Sequence, residues 1–278
     1  MMISTTSQTI PQSITHAIDI PYVNAEEAHT LLTNEFERFS RLLDKLSDED
    51  WDKTTACTDW TVKDILAHQA GGFSGGTSYR EFIRQASTKK KPGQLIEDAI
   101  NALQVGERRD KSPIEIIAEI RQAGPKAILN WVHGFKLVKW VSIPHPVSGS
   151  LSVRHLMWVI HSRDTWMHRL DICRATGKHF EQTTEHDGRI LALVMRDVTH
   201  QLAGKLAGKS IVFELNGVAG GAWKVGEGEE VARMRMDALD FNIFVSGRYS
   251  YEEGVSRAKL SGDKEFMQAI LKDLLILF

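Results

Sequence analysis

One stretch restricts this chain more than any other. Between Val153 and Ile172, the apolar residues Val153, Leu156, Met157, Ile160, Met167 and Ile172 recur at helical spacing, and His161, Asp164, His168 and Asp171 are set among them. Residues three or four apart are neighbours on a helix, so the four polar groups form one stripe along the side that should face a core. An unsatisfied buried polar group costs about 1–3 kcal/mol, so the fold must bring partners or a ligand to that stripe. An imidazole and a carboxylate four residues apart direct two ligands at one centre, and helical bundles build metal sites from facing helices in this way. A third ligand is available in Ile65-Leu66-Ala67-His68. Hydrogen-bonded buried histidines with surface carboxylates are the other reading, and residue pattern alone leaves both open.

The rest of the chain supplies such facing helices. Asn24 and Glu27 open a helix expected from about Ala25 to Leu46, with Ala28, Leu31, Leu32, Phe36, Phe39 and Leu43 on one face. A second begins near Thr61 and carries Val62, Asp64, Ile65, Leu66 and His68. Gly71-Gly72 and Gly75-Gly76 should loosen it before Tyr79, Phe82 and Ile83 resume the pattern. Ser112-Pro113-Ile114-Glu115 starts a third, running to about His133, with a kink or break expected at Pro125. Pro144, Pro146 and Gly149 mark a loop, after which the stripe above forms the fourth helix, closed by Gly177. Four such helices predict a mainly α fold, an antiparallel four-helix bundle.

The pattern then changes. A further helix, about Asp187 to Leu206, leads into the strands 210–215, 222–225 and 230–236, with a turn at Gly220-Gly221. Helices near 238–245 and 264–275 complete a small α+β module. The expected organisation is a polar tail over residues 1–20, a bundle over 21–180 and an α+β domain over 183–278.

Composition excludes several roles. The 34 basic residues against 36 acidic ones give a net charge of −2, which argues against non-specific nucleic-acid binding, since that needs many phosphate-neutralising cations. No uncharged apolar run approaches the roughly 18 residues that span a bilayer, and the N-terminus lacks the basic and apolar parts of a secretory signal. Cys57 and Cys173 are too few for a disulfide framework, which fits the cytoplasm; both read as small buried apolar groups. Trp131, Trp140, Trp158 and Trp166 read as core or site-lining residues. Gly208-Lys209-Ser210 lacks the earlier glycine of a phosphate loop, and no Gly-x-Ser-x-Gly elbow precedes a helix.

Two segments carry a resemblance. Trp60-Thr61-Val62-Lys63-Asp64-Ile65-Leu66-Ala67-His68, together with Asp164-Thr165-Trp166-Met167-His168-Arg169-Leu170-Asp171-Ile172 and then Ala175 and Gly177, resembles the DinB-like metal-dependent bundles. The similarity is greatest to the mycothiol-dependent maleylpyruvate isomerase group. Gly220-Gly221-Ala222-Trp223 and Ser246-Gly247-Arg248 are similar to that group's second, sterol-carrier-like domain. The resemblance spans about residues 24 to 278. It implies a divalent metal, usually zinc, on His68, Asp164 and His168. The acidic ligand in that group is generally glutamate, and Asp164 is one methylene shorter. Either the helix moves closer, or Asp164 binds through water with His161 taking part; Asp171 stands beside them as a further ligand or the partner of one.

Three protein ligands leave a position open, which in the resembling enzymes receives the thiol of a low-molecular-weight cofactor such as mycothiol. Its thiolate adds to an activated double bond, permits rotation and leaves, or it displaces a leaving group. A matching arginine, here Arg248, serves substrate carboxylates there. The implied activity is a thiol-dependent isomerisation or S-transfer on a small carboxylated substrate, by a monomer or small homo-oligomer. The reading from another class is a non-catalytic binding protein that holds a small molecule between its domains, with the metal as a fixture.

Overall fold

The computed structural model describes residues 13–57 and 60–278. In chain order the elements are β1 (Thr15–His16), α1 (Ala25–Leu43), α2 (Val62–Gly76), α3 (Tyr79–Ala86), α4 (Ile96–Gly106), α5 (Pro113–Val132), β2 (Ser142–His145), β3 (Gly149–Ser152), α6 (Val153–His155) and α7 (His161–Thr176). They continue with α8 (Thr184–Leu202), β4 (Ser210–Asn216), β5 (Gly221–Gly226), β6 (Glu230–Asp237), α9 (Ala238–Val245), α10 (Tyr251–Arg257), β7 (Lys259–Gly262) and α11 (Lys264–Lys272). The chain divides into two compact units. One holds Val23–Pro144 and Ser150–Glu181 with Phe278; the other holds, among the described residues, 13–22, His145–Gly149 and Gln182–Leu277.

The first unit is the antiparallel bundle of α1, α2, α5 and α7. Each of α1 and α2 packs against both α5 and α7, so α2 and α7 are neighbours, and α4 packs on the outside of α2. Leu31, Leu32, Phe39, Ile65, Leu66, Ile116, Ile120, Trp166, Met167 and Leu170 fill the centre. The starts follow from their caps: Asn24 accepts from the Glu27 N–H, and Thr61 with Asp64 and Ser112 with Glu115 form reciprocal capping boxes.

Two expectations are corrected here. α5 runs unbroken through Pro125; that residue is exposed, so the Arg121 carbonyl it deprives of a partner is on the solvent side. α2 likewise continues through its four glycines, because almost all of its residues from Ile65 on are buried against neighbours and packing outweighs propensity. The segment from Tyr79 forms a separate helix, and α4 is one that periodicity did not reveal; its first turn lacks a side-chain cap. The loop around Pro144 and Gly149 contains the paired strands β2 and β3.

The second unit is α+β. Its sheet has the order β1-β5-β4-β6-β7. β6 does not continue the β4–β5 hairpin outward but returns beside β4 in parallel. The connection is short and uses Gly226 and Gly228, both at positive φ (87° and 88°). Residues 1–12, most of the stretch expected to be a tail, lie outside the described residues. From Thr15 that stretch is structured: β1 pairs with β5, and Ala17 and Ile20 are buried, so its few apolar residues complete a sheet edge. Among the described residues no helix is long and apolar enough to cross a membrane.

Candidate metal centre

The bundle brings His68, Asp164 and His168 to one point. Thr61 starts α2 one residue before Val62, which places His68 two turns in, on the side facing α7. In front of α7 the backbone makes a π-helical turn over Leu156–Ile160, in which the His161 N–H reaches the Leu156 carbonyl. Such widened turns recur beside functional sites because they rotate the residues that follow. Asp164 and His168 then lie one turn apart. Each presents one ligand atom, and with His68 these atoms lie within 4.8 Å of one another.

The contacts are specific. Nε2 of His68 lies 3.4 Å and 3.5 Å from the two Asp164 oxygens, and Nε2 of His168 lies 3.4 Å from Asp164 Oδ1. Nδ1 of His68 is 2.8 Å from Gln104 Oε1, and Nδ1 of His168 is 3.2 Å from Asp171 Oδ2. Both rings are thus held from behind, and what faces Asp164 is the pair of Nε2 atoms. Gln69 Nε2 donates to Asp164 Oδ2 at 2.6 Å, while its own oxygen accepts from Thr165 Oγ1. Trp60 lies against both imidazoles, with ring centroids 5.0 Å and 5.8 Å away.

The donor set fits a divalent cation. Nitrogen and oxygen ligands about 2.1 Å from a tetrahedral ion stand about 3.4 Å apart, the spacing seen between Asp164 and each Nε2. Two imidazoles and a carboxylate are the donors that zinc and similar ions accept. Access is uneven: the Asp164 side chain is 23% exposed, while those of His68 and His168 are at 10% and 6%. Solvent therefore reaches the centre from the carboxylate side.

Charge is strongly coupled here. Burial opposes the Asp164 carboxylate, yet the imidazoles of His68 and His168 hold its pKa well below the usual carboxylate range. Burial also opposes the His168 cation, but Asp164 and the hydrogen bonds to Asp164 and Asp171 prevail and lift its pKa to about 9. His161 goes the other way. Burial lowers it to about 4 against the pull of Asp164, so it is neutral at pH 7. Its ring lies parallel to Trp131, centroids 4.0 Å apart, outside the group of three. Asp164 therefore reaches both histidines without it.

Asp171 is buried behind His168 and, with Cys57 and His168, forms a second group whose ligand atoms lie within 4.8 Å. Cys57 is therefore not the buried apolar group expected; it is partly exposed and polar on one side. Cys173 is buried, and burial raises its thiol to about 11. Trp131 and Trp166 are core, whereas Trp140 is exposed, with the Arg154 guanidinium 5.1 Å from its ring. Arg248 belongs to the α+β unit, half-buried after Gly247, and donates its backbone N–H to the Ile243 carbonyl. Gln69, Gln85 and Gln104 were not anticipated. The position of Gln69 beside His68 was the only sequence cue, since Gln104 is 36 residues away.

A mainly α bundle that gathers His, Asp and His from two adjacent helices, followed by a small α+β unit, defines the class of protein. The chain belongs to the mycothiol maleylpyruvate isomerase N-terminal domain family, which residues 32–173 match, just over half of the 278. That span includes His68, Asp164 and His168. Two crystal structures share the fold, one of the mycothiol-dependent maleylpyruvate isomerase and one of a point mutant of it. Each superposes with a TM-score of 0.57 over 89% of this chain and 96% of the other, at 16% and 15% identity respectively. A search of curated proteins finds no match.

Proposed function

We propose that this protein is a divalent-metal-dependent isomerase or S-transferase of the maleylpyruvate isomerase type. It would use a low-molecular-weight thiol such as mycothiol on a small carboxylated substrate. The observation that carries the reading is the convergence of His68 Nε2, His168 Nε2 and the Asp164 carboxylate, within a chain of this family. These three residues would hold the ion, with zinc favoured by the donor set. A divalent ion in that position supplies the charge that keeps a thiol ionised at neutral pH, ready to add reversibly to a double bond.

The protein's own groups have separable tasks. Gln104 and Asp171 orient the two imidazoles, and Gln69 holds the carboxylate. Trp60 covers both rings and limits water on that side. His161, neutral at pH 7, rests on Trp131 beside the centre. We assign Arg248 to the substrate carboxylate because its planar fork suits that group.

In the metal-free protein His168 keeps its proton up to a pKa of about 9, so an ion binding at neutral pH must displace it. Apparent affinity should fall about tenfold for each unit the pH drops below that value and level off above it. Chelator competition measures this, and an affinity constant between about pH 6.5 and 8.5 contradicts it.

The activity is tested with maleylpyruvate and mycothiol. Isomerisation should require both the thiol and the metal, stop when a chelator strips the ion, and return on adding zinc. Undiminished turnover by chelator-stripped protein excludes the reading.

A further inference from the structure

Behind His68 a chain of buried amides leads away from the centre. Gln85 Nε2 donates to the Gly71 carbonyl at 3.0 Å and to Glu81 Oε1 at 2.9 Å. Gln104 Nε2 donates to Gln85 Oε1 at 2.8 Å, and Gln104 Oε1 stands 2.8 Å from His68 Nδ1. The three side chains are deeply buried: Gln85, Gln104 and His68 are 5%, 4% and 8% exposed.

Which end of a glutamine is oxygen is decided by the network around it, and this network has one solution. A peptide carbonyl and a carboxylate can only accept. The NH₂ of Gln85 must therefore face Gly71 and Glu81, which turns its oxygen to Gln104. Gln104 must donate there, which turns its own oxygen to His68. Only an Nδ1–H on His68 satisfies that oxygen. With Nδ1 carrying that proton, Nε2, the nitrogen that faces Asp164, is the one left to take a cation.

α2 is shaped to admit this chain. A Cβ at Gly71 would lie 2.4 Å from Gln104 Cγ, and one at Gly75 would lie 3.1 Å from Gln85 Oε1. Glycine is a poor helix former, and at these two positions it is what lets the glutamines reach the helix.

We propose that Gln104, itself oriented by Gln85, is a positioning residue that locks His68 in its Nδ1–H form and so presets Nε2 as a metal ligand. This rests on the metal reading above. Partners that hold a ligating histidine in this way are typically worth about 10- to 100-fold in metal affinity. Gln104→Met, nearly the same shape but without the acceptor, should weaken zinc binding by about that factor in chelator competition. Equal zinc affinity in Gln104→Met and the parent overturns the proposal.

A second measurement needs no substitution. Long-range ¹H–¹⁵N spectra of the histidine-labelled parent should show His68 with its proton on Nδ1, in contrast to free imidazole side chains. A His68 protonated on Nε2 alone overturns the relay whatever the variants do. If the parent takes up no zinc yet shows the Nδ1–H form, the metal reading fails and the relay stands.

Discussion

Replacing His168 with alanine should lower zinc affinity by more than about a hundredfold, since loss of a direct ligand exceeds the 10- to 100-fold typical of groups that only orient one. The helical content should change little, because Trp166, Met167 and Leu170 still fill the bundle around that turn. Asp164→Asn should also weaken binding, as a neutral amide replaces the anion that lies 3.4 Å from each Nε2. His161→Ala should have little effect, because that ring rests on Trp131 and stands outside the group of three. Elemental analysis and chelator competition on the three variants give the ranking. A larger loss in His161→Ala than in Asp164→Asn would transfer the third ligand to His161.

The largest loss of stability should come from a residue that touches no ligand. Glu35 on α1 accepts from Arg169 Nε and Nη2 at 2.6 Å and 3.2 Å, while Arg169 Nη1 donates to the Glu181 carbonyl. Both side chains are buried, at 0% and 1% exposure, and the guanidinium also lies 4.2 Å from the Phe180 ring. Glu35→Ala leaves the cation buried without its counter-charge, a change that costs about 3–5 kcal/mol. Arg169 follows His168 directly, so the pair also ties α7 to α1. Urea unfolding followed by tryptophan fluorescence should show a lower midpoint at unchanged slope. A loss below about 1 kcal/mol would mean that water or another anion reaches Arg169 when Glu35 is gone.

Much of this was legible in the sequence, for physical reasons that also mark where legibility ends. The bundle helices were visible because their apolar residues repeat at helical spacing and their first turns carry caps, as at Asn24, Thr61 and Ser112. The polar stripe at His161, Asp164, His168 and Asp171 stood out because it interrupts that repeat. Glu35 did not, although it sits inside the apolar face of α1, because helical spacing gives no sign of Arg169, the residue it is buried against. Its partner is 134 residues away. Gln104 was hidden twice, on a helix without a side-chain cap and with contacts that exist only once α4 packs on α2. Pro125 and the glycines of α2 show the converse. Local rules predicted disruption, and burial on one side with solvent on the other removed it.

The proposed chemistry requires that a thiol reach an ion held by His68, Asp164 and His168. The direct measurement is the absorption spectrum of the cobalt-substituted protein during titration with mycothiol. A new sulfur-to-cobalt charge-transfer band should grow to one thiol per ion and be absent in the His68→Ala, His168→Ala double variant. A spectrum that does not change at saturating thiol, or a double variant that still holds one equivalent of cobalt, would contradict it.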